Sequence, residues 1–466
     1  MNTQGFVEAD EIRTRFSRAM SDMYKQEVPL YGTLMALVAE TNSTVMASDK
    51  AVYDHLQRTG EIERLDMERH GAIRVGTPEE LATIARLFAV MGMQPVGYYD
   101  LTPAGVPVHS TAFRAIHEDS LQASPFRVFT SLLRLDLIEN EEIRQRVQAI
   151  LDQRQIFTPD ALKLIEKFET NGGLDAKDAA DFVEQALETF RWHHDATVTA
   201  KDYQRLHDQH RLIADVVAFK GPHINHLTPR TLDIDMIQNG MQQKGITPKA
   251  VIEGPPRRRC PILLRQTSFK ALQETVAFTD QDGIATGSHT ARFGEIEQRG
   301  AALTPKGREL YDSLLNAARA ELGEFPSESN AEKYTAILEK HFKDFPDDYA
   351  ELHDKGLAYF RYFPTQKGIA SRSNSHRPSS RQELIAQGHI QYEPLVYEDF
   401  LPVSAAGIFQ SNLGDDSQAH YAGSSNQAEF EKALGQKVTN ELKLYADTQR
   451  RSLLDCSTIL AVSPLV

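Results

Sequence analysis

The apolar positions change period twice in the first third of the chain. Residues 5–25 repeat at helical spacing, and a second helical pattern opens at Asp49 and ends near Gly60. GAIRV, residues 71–75, is an extended run. Thr77, Pro78 and Glu80 then form a helix-start signature, because threonine caps the first turn and proline suits the first helical position. That helix runs to about Met91 and stops at Gly92. PVGYYDL, VPVHSTAFRAI and PFRVFTSLL follow as three strands between polar and proline-bearing turns. The order is strand, helix, strand, strand, strand.

The order returns around FKGPHINHLTPRTLDID, residues 219–235. Pro222 and Pro229 disfavour a continuous helix, so HINHLT reads as a short strand. Side chains alternate along a strand, so His223 and His226 point to opposite faces and cannot easily hold the same metal ion. A helix ending at Gly245 comes next, then three candidate strands in KAVIEGPP, RRCPILLRQTSFKAL and TARFGEIEQRGAAL. His70 lies 22 residues before Gly92 and His226 lies 19 before Gly245. Each unit thus carries a histidine on its first strand, and paired units predict one composite site.

Between the units, residues 132–212 are helical, as in IRQRVQAILDQ, PDALKLIEKFE and KDAADFVEQALETF. His207 and His210 stand at helical spacing there, on what reads as a solvated face. Residues 303–355 are again helical and charged. From Gly356 an aromatic run, a Ser/Arg-rich loop and a final helix near 427–450 complete the chain. The expected division is 1–131, 132–212, 213–302 and 303–466.

With 466 residues, 41% of them hydrophobic, the chain can bury a large core. A net charge of −14 argues against nucleic acid or an anionic membrane as its main partner. Two cysteines supply no disulfide framework, the N-terminus is charged rather than signal-like, and no segment reads as a membrane span. A soluble, cytoplasmic protein acting on a small molecule is expected. LTPKGRELYDSLL looks like the post-strand helix of winged-helix regulators, but the acidic charge and the lack of a basic helix before it argue against DNA binding.

Paired units would bring His70 and His226 together, and RFGEIEQRG offers Glu295 or Glu297 as a carboxylate. Both glutamates have the same strand parity, so alternation does not choose between them. Two histidines and a carboxylate leave coordination positions open, as in non-haem Fe(II) oxygenases, although Zn, Mn or Ni fits the same donors. Arg74 shares the face of His70, about 13 Å along an extended chain. Its guanidinium suits the far carboxylate of a short diacid. Arg257, Arg258 and Arg259 read as a solvated turn.

ERHGAIRVG, GPHINHLTPR and RFGEIEQRG, with EDFLPVSAAGIF near the C-terminus, together resemble the 2-oxoadipate dioxygenase/decarboxylases, also called 2-hydroxyglutarate synthases. The resemblance spans nearly the whole chain. It implies an α+β fold with a vicinal oxygen chelate core of two βαβββ-type units, helical insertions and a mixed C-terminal region. It implies that His70, His226 and Glu295 bind Fe(2+), and that His70, Arg74, His226 and Val403 contact substrate. The implied reaction converts 2-oxoadipate and O2 to 2-hydroxyglutarate and CO2 in lysine breakdown. A Zn or Ni glyoxalase-like lyase or isomerase, or a metal-dependent sensor without catalysis, is the alternative on the same scaffold.

Overall fold

The computed structural model describes residues 5–280, 283–290, 292–324, 326–373, 378, 380–401 and 426–465. Val403, the expected pocket residue of the C-terminal motif, lies outside them. Helices Ala9–Glu27, Pro29–Ser48, Lys50–Thr59 and Glu61–Leu65 precede the first strand. The expected breaks hold: Asp49 caps the third helix through Ala51 and Val52 N–H, and Gly60 ends it in the left-handed region.

The first unit runs β1 (Arg69–Val75), helix Pro78–Val90, β2 (Gln94–Asp100), β3 (Val108–Arg114) and β4 (Arg127–Leu133). Thr77 accepts from Glu80 N–H at the helix start, and Gly92 follows the helix with φ 66°. Side-chain alternation divides β1. Ile73 and Val75 enter an apolar layer with Phe88 and Phe113, while Ala72 joins a second layer with Tyr99 and Phe129. Ile73, Val75, Phe88 and Phe113 are fully buried and contribute about 1.5–3 kcal/mol each relative to exposure, which anchors the strand carrying His70 and Arg74.

The second unit opens with β5 (His226–Pro229), antiparallel to β1, giving a sheet of order β2-β3-β4-β1-β5. Helix Ile234–Gln243 follows, with Gly245 at φ 74° behind it. Then come β6 (Leu264–Ser268), a hairpin of β7 (Glu274–Asp280) and β8 (Gly283–His289), and β9 (Glu295–Arg299), which pairs antiparallel with β6. A parallel bridge from Arg230 to Glu297 joins β5 to β9, just as β1 lies parallel to β4. The two units therefore share one plan of strand, helix and further strands. Gly71 permits the close crossing of the units, because a Cβ there would fall 2.4 Å from Ile224 Cδ1.

Several expectations need correction. The strand read over HINHLT begins only at His226, as β5; Ile224 N–H and Asn225 N–H are taken by the carbonyls of Phe190 and Ala72, so the chain arrives at β5 irregularly. PKAVIEG, residues 248–254, forms bridges from Pro248 to Phe269 and from Glu253 to Gln266 rather than a strand. The β7–β8 hairpin was not expected. His207 and His210 do not share a helix: His210 ends helix Ala200–Gln209 and caps helix Arg211–Val217. The final helix is two, Gln427–Leu434 and Glu441–Leu460, divided at Gly435. Arg258 is not a solvated turn residue, since its side chain is covered, lies over Phe345 and donates to the carbonyls of Phe345 and Pro346.

Candidate metal centre

Where β1, β5 and β9 meet, His70, His226 and Glu295 converge. Register sets this: His70 lies between Arg127 of β4 and Thr228 of β5, and His226 lies opposite Ala72 of β1. Glu295 starts β9 opposite Ser268. One ligating atom from each residue lies within 4.8 Å of the others, and all three side chains have 0% exposure. His70 Nε2 is 3.2 Å and His226 Nε2 3.9 Å from Glu295 Oε1. Phe293 packs against the His226 ring and Phe400 against the His70 ring.

The same parity of Glu295 and Glu297 is real, and the structure separates them by their partners. Glu297 faces the other edge of His70, with Oε2 3.0 Å from Nδ1. It also accepts two hydrogen bonds from Arg299, at 2.7 and 3.0 Å. Burial works against its ionisation, but Arg299 and then His70 more than offset this and bring it down to about 2. Glu295 lacks any such cation. Thr228 and Gln266 donate to Oε1, at 3.1 and 2.7 Å, and Oε2 has no partner. Burial raises its pKa, His70 opposing.

Burial lowers the pKa of His226 well below the usual imidazole range, and His70 and Arg74 add to the effect. His226 is therefore neutral at pH 7, and neither ring nitrogen has a hydrogen-bond partner. Burial also disfavours charge on His70, but Glu297 and Glu295 raise its pKa overall. A neutral imidazole with buried unpartnered nitrogens, a second imidazole oriented from behind by a carboxylate and a carboxylate with a free oxygen are the donors a divalent cation requires. The residues fit a metal, and two nitrogens with one oxygen suit first-row transition ions better than Mg or Ca.

Behind His70 lies a lattice of buried charge. Glu68 is surrounded by Arg64, Arg127 and Arg230 at 2.8–3.0 Å, with Arg299 at 3.8 Å. Glu398 pairs with Arg64 and Arg127, and Glu61 with Arg230. Arg74, on the His70 face of β1, donates from Nη1 to Asp215 Oδ2 at 2.6 Å.

The sequence pattern of the 2-oxoadipate dioxygenase/decarboxylases matches residues 16–412. The chain belongs to that family. A 2-oxoadipate dioxygenase/decarboxylase of Pseudomonas putida is 69% identical over 460 residues, covering 99% of both chains. One from Escherichia coli is 55% identical over 453 residues, covering 97% of this chain and 99% of the relative. The crystal structure of the hydroxyglutarate synthase from Pseudomonas putida in complex with 2-oxoadipate superposes with a TM-score of 0.92 at 67% identity, covering 99% of this chain and 100% of that one. Membership in this family of enzymes sets aside the winged-helix reading of residues 303–315, which form the start of helix Pro305–Leu322. No helix among the described residues is long and apolar enough to cross a membrane.

Of the residues expected from sequence in this family member, His70, His226 and Glu295 come together, with Glu297 one layer behind. His223 faces away from them, 3.2 Å from Asp215. His207 is exposed. Sequence reasoning missed Glu68, Arg127, Arg230 and Arg299, and also Asp215 and His289. A signal was present for three of the first four: Glu68 and His70, Thr228 and Arg230, and Glu297 and Arg299 are pairs two residues apart, so each adds charge or a donor to one strand face. Asp215 is the single charge within the run LIADVV.

Proposed function

We propose that this chain is an iron(II)-dependent 2-oxoadipate dioxygenase/decarboxylase, converting 2-oxoadipate and O2 to 2-hydroxyglutarate and CO2. The observation that carries the reading is the buried convergence of His70, His226 and Glu295, with both His226 ring nitrogens and Glu295 Oε2 lacking protein partners. These three residues hold the metal. Bound iron(II) supplies a Lewis acid with open positions for a chelating 2-oxo acid and for O2, together with redox chemistry that side chains lack.

The chain's own residues do the rest. Glu297 holds the Nδ1 proton of His70 and leaves Nε2 facing Glu295. Thr228 and Gln266 fix Glu295 Oε1. Phe293 and Phe400 cover the imidazoles with apolar surface and exclude water, which strengthens electrostatic interactions inside. Arg74 contacts the far carboxylate of the diacid. Because the substrate carries its own 2-oxo acid, no separate 2-oxo acid is consumed.

The test is reconstitution. Chelator-treated protein is loaded separately with Fe(II), Zn(II), Ni(II) or Mn(II), and O2 uptake and product are followed with 2-oxoadipate. Fe(II) should restore O2 uptake with equimolar CO2 and 2-hydroxyglutarate. Zn- or Ni-dependent conversion of a 2-oxo acid without O2 uptake would replace this reading with a lyase or isomerase. Binding of metal and acid without turnover would replace it with a sensor.

A further inference from the structure

A second set of buried ligating side chains, Asp215, His223 and His289, adjoins the first through Arg74. Its composition is that of a metal site, with one atom of each residue within 4.8 Å of the others. Its hydrogen bonding is not. Asp215 Oδ2 accepts from Arg74 Nη1 at 2.6 Å, while Oδ1 faces His289 Nε2 at 2.9 Å and His223 Nε2 at 3.2 Å. The Tyr203 hydroxyl stands 2.8 Å from His289 Nδ1. A hydroxyl donating to Nδ1 leaves the ring proton on Nε2, so that nitrogen donates to Asp215 and has no lone pair for a cation. A guanidinium on the same carboxylate would also repel one.

We propose that Asp215, held by His289 and His223, is the positioning residue that aims Arg74 at the far carboxylate of the 2-oxo diacid, and that the trio is not a second metal centre. The inference rests on the functional reading above. Arg74 lies on β1 of the first unit, but its anchor comes from helix Arg211–Val217 of the helical insertion and from the end of the β7–β8 hairpin. Both elements are additions to the two-unit core, and here each contributes a side chain to selectivity. A long cationic side chain loses rotamer freedom when it binds a ligand. An acceptor that fixes it beforehand removes part of that cost. The enclosure is aromatic: Trp192 packs edge-on against His223 at 4.6 Å and lies nearly parallel to His289, with Arg292 over it. Trp192 is the only tryptophan in the chain, so its emission reports on this cluster.

The experiment compares iron-loaded wild type with Asp215→Ala and His289→Ala. Metal per chain is counted, and kcat/KM is measured on 2-oxoadipate and on 2-oxohexanoate, which has a methyl in place of the far carboxylate. One metal per chain is expected in all three proteins. The ratio of efficiencies, diacid over monoacid, should fall about 10-fold or more in Asp215→Ala, which removes a charge-assisted hydrogen bond. It should fall about 2- to 10-fold in His289→Ala, which leaves the Arg74–Asp215 pair in place but loosens it. Anaerobic titration of Trp192 emission should show half-saturation by 2-oxoadipate shifting upward in the same order. This reading does not depend on turnover, and His289→Ala keeps the test decisive if Asp215→Ala does not fold. A second metal equivalent in wild type that vanishes with Asp215 would overturn the proposal. So would an unchanged ratio, or equal losses on both substrates. A wild type that prefers the diacid while the variants prefer it equally overturns this inference alone. A wild type that neither binds nor converts 2-oxoadipate overturns the functional reading and the inference with it.

Discussion

Glu295 and Glu297 stand two residues apart on one face of β9, yet they should have opposite effects on the metal-free protein. Glu297 is pulled down to about 2 from an ordinary value of 4.5, chiefly by Arg299 acting against burial. A carboxyl whose folded pKa lies below its unfolded one contributes stability that is full above the ordinary range and is lost as pH falls toward the folded value. For Glu297 that is about 3 kcal/mol at neutral pH. Removing one partner of a buried ion pair costs about 3–5 kcal/mol by an independent route, which agrees. For Glu295 the sign reverses. Burial raises its pKa, so its ionised form opposes folding at neutral pH. Chemical denaturation in excess chelator at pH 7.5 should therefore find Glu297→Gln about 3 kcal/mol less stable than wild type. Glu295→Gln should be equal to wild type or more stable. Metal titration should give a complementary result: Glu295→Gln loses a ligand and nearly all affinity, whereas Glu297→Gln, which disturbs only the orientation of His70, loses about 10- to 100-fold. Equal destabilisation of the two variants in chelator would refute the division of roles, as would wild-type metal affinity in Glu297→Gln.

Metal analysis should show His226→Ala without metal and His223→Ala with it, because His223 is turned toward Asp215; equal loss in both would move the centre. Arg74→Ala should keep the metal and lower the diacid-over-monoacid efficiency ratio about 100-fold or more, the worth of two charge-assisted hydrogen bonds, and loss of the metal instead would make Arg74 structural. His109, buried against Phe430, is lowered to about 4 by burial and then by Arg134. The unfolded chain takes up its proton first, so stability should decline by about 3 kcal/mol between pH 6.5 and pH 4. Denaturation midpoints for His109→Leu across that window should lack this part of the decline, and an unchanged slope would assign it elsewhere.

The convergence of His70 and His226 was legible because local patterns marked strand and helix ends: Thr77 with Pro78 and Gly92 in one unit, Gly245 in the other. Two strands with a histidine each, placed alike relative to those marks, required only that the units pair. The β7–β8 hairpin was not legible. It enters between β6 and β9, where the first unit has the short helix Glu118–Ala123 before β4, and its sequence alternates weakly. The break at His210 was missed because Leu206 and Leu212–Val217 continue an apolar pattern across it, while the histidine side chain caps the second helix through Leu212 N–H. Arg258 was read as solvent-facing from its arginine neighbours. Its carbonyl acceptors lie 84–88 residues away, beyond any local pattern.

The buried charge lattice answers a question that the ligands alone leave open, namely how a histidine inside an apolar core keeps one orientation. Arg64, Arg127, Arg230 and Arg299 face Glu61, Glu68, Glu297 and Glu398, four cations against four anions, so the lattice is electrically neutral. Such a lattice is a poor source of stability, since apolar packing of the same volume is often as good or better. What apolar packing cannot do is hold a proton at a chosen nitrogen. Arg299 keeps Glu297 ionised, Glu297 keeps the proton of His70 on Nδ1, and Nε2 is left facing Glu295. Arg299 also donates to the carbonyls of Tyr397 and Asp399, which brings Phe400 against the His70 ring. One guanidinium thus sets both the tautomer and the apolar cover of a histidine it does not touch. Arg299→Lys keeps the charge but cannot reach the carboxylate and both carbonyls in one plane. Its metal-free stability should fall by about 1–3 kcal/mol for the bonds lost. Its metal affinity should fall with Glu297→Gln rather than with Glu295→Gln. Wild-type affinity in Arg299→Lys would show that charge alone, and not the planar fork, holds His70 in place.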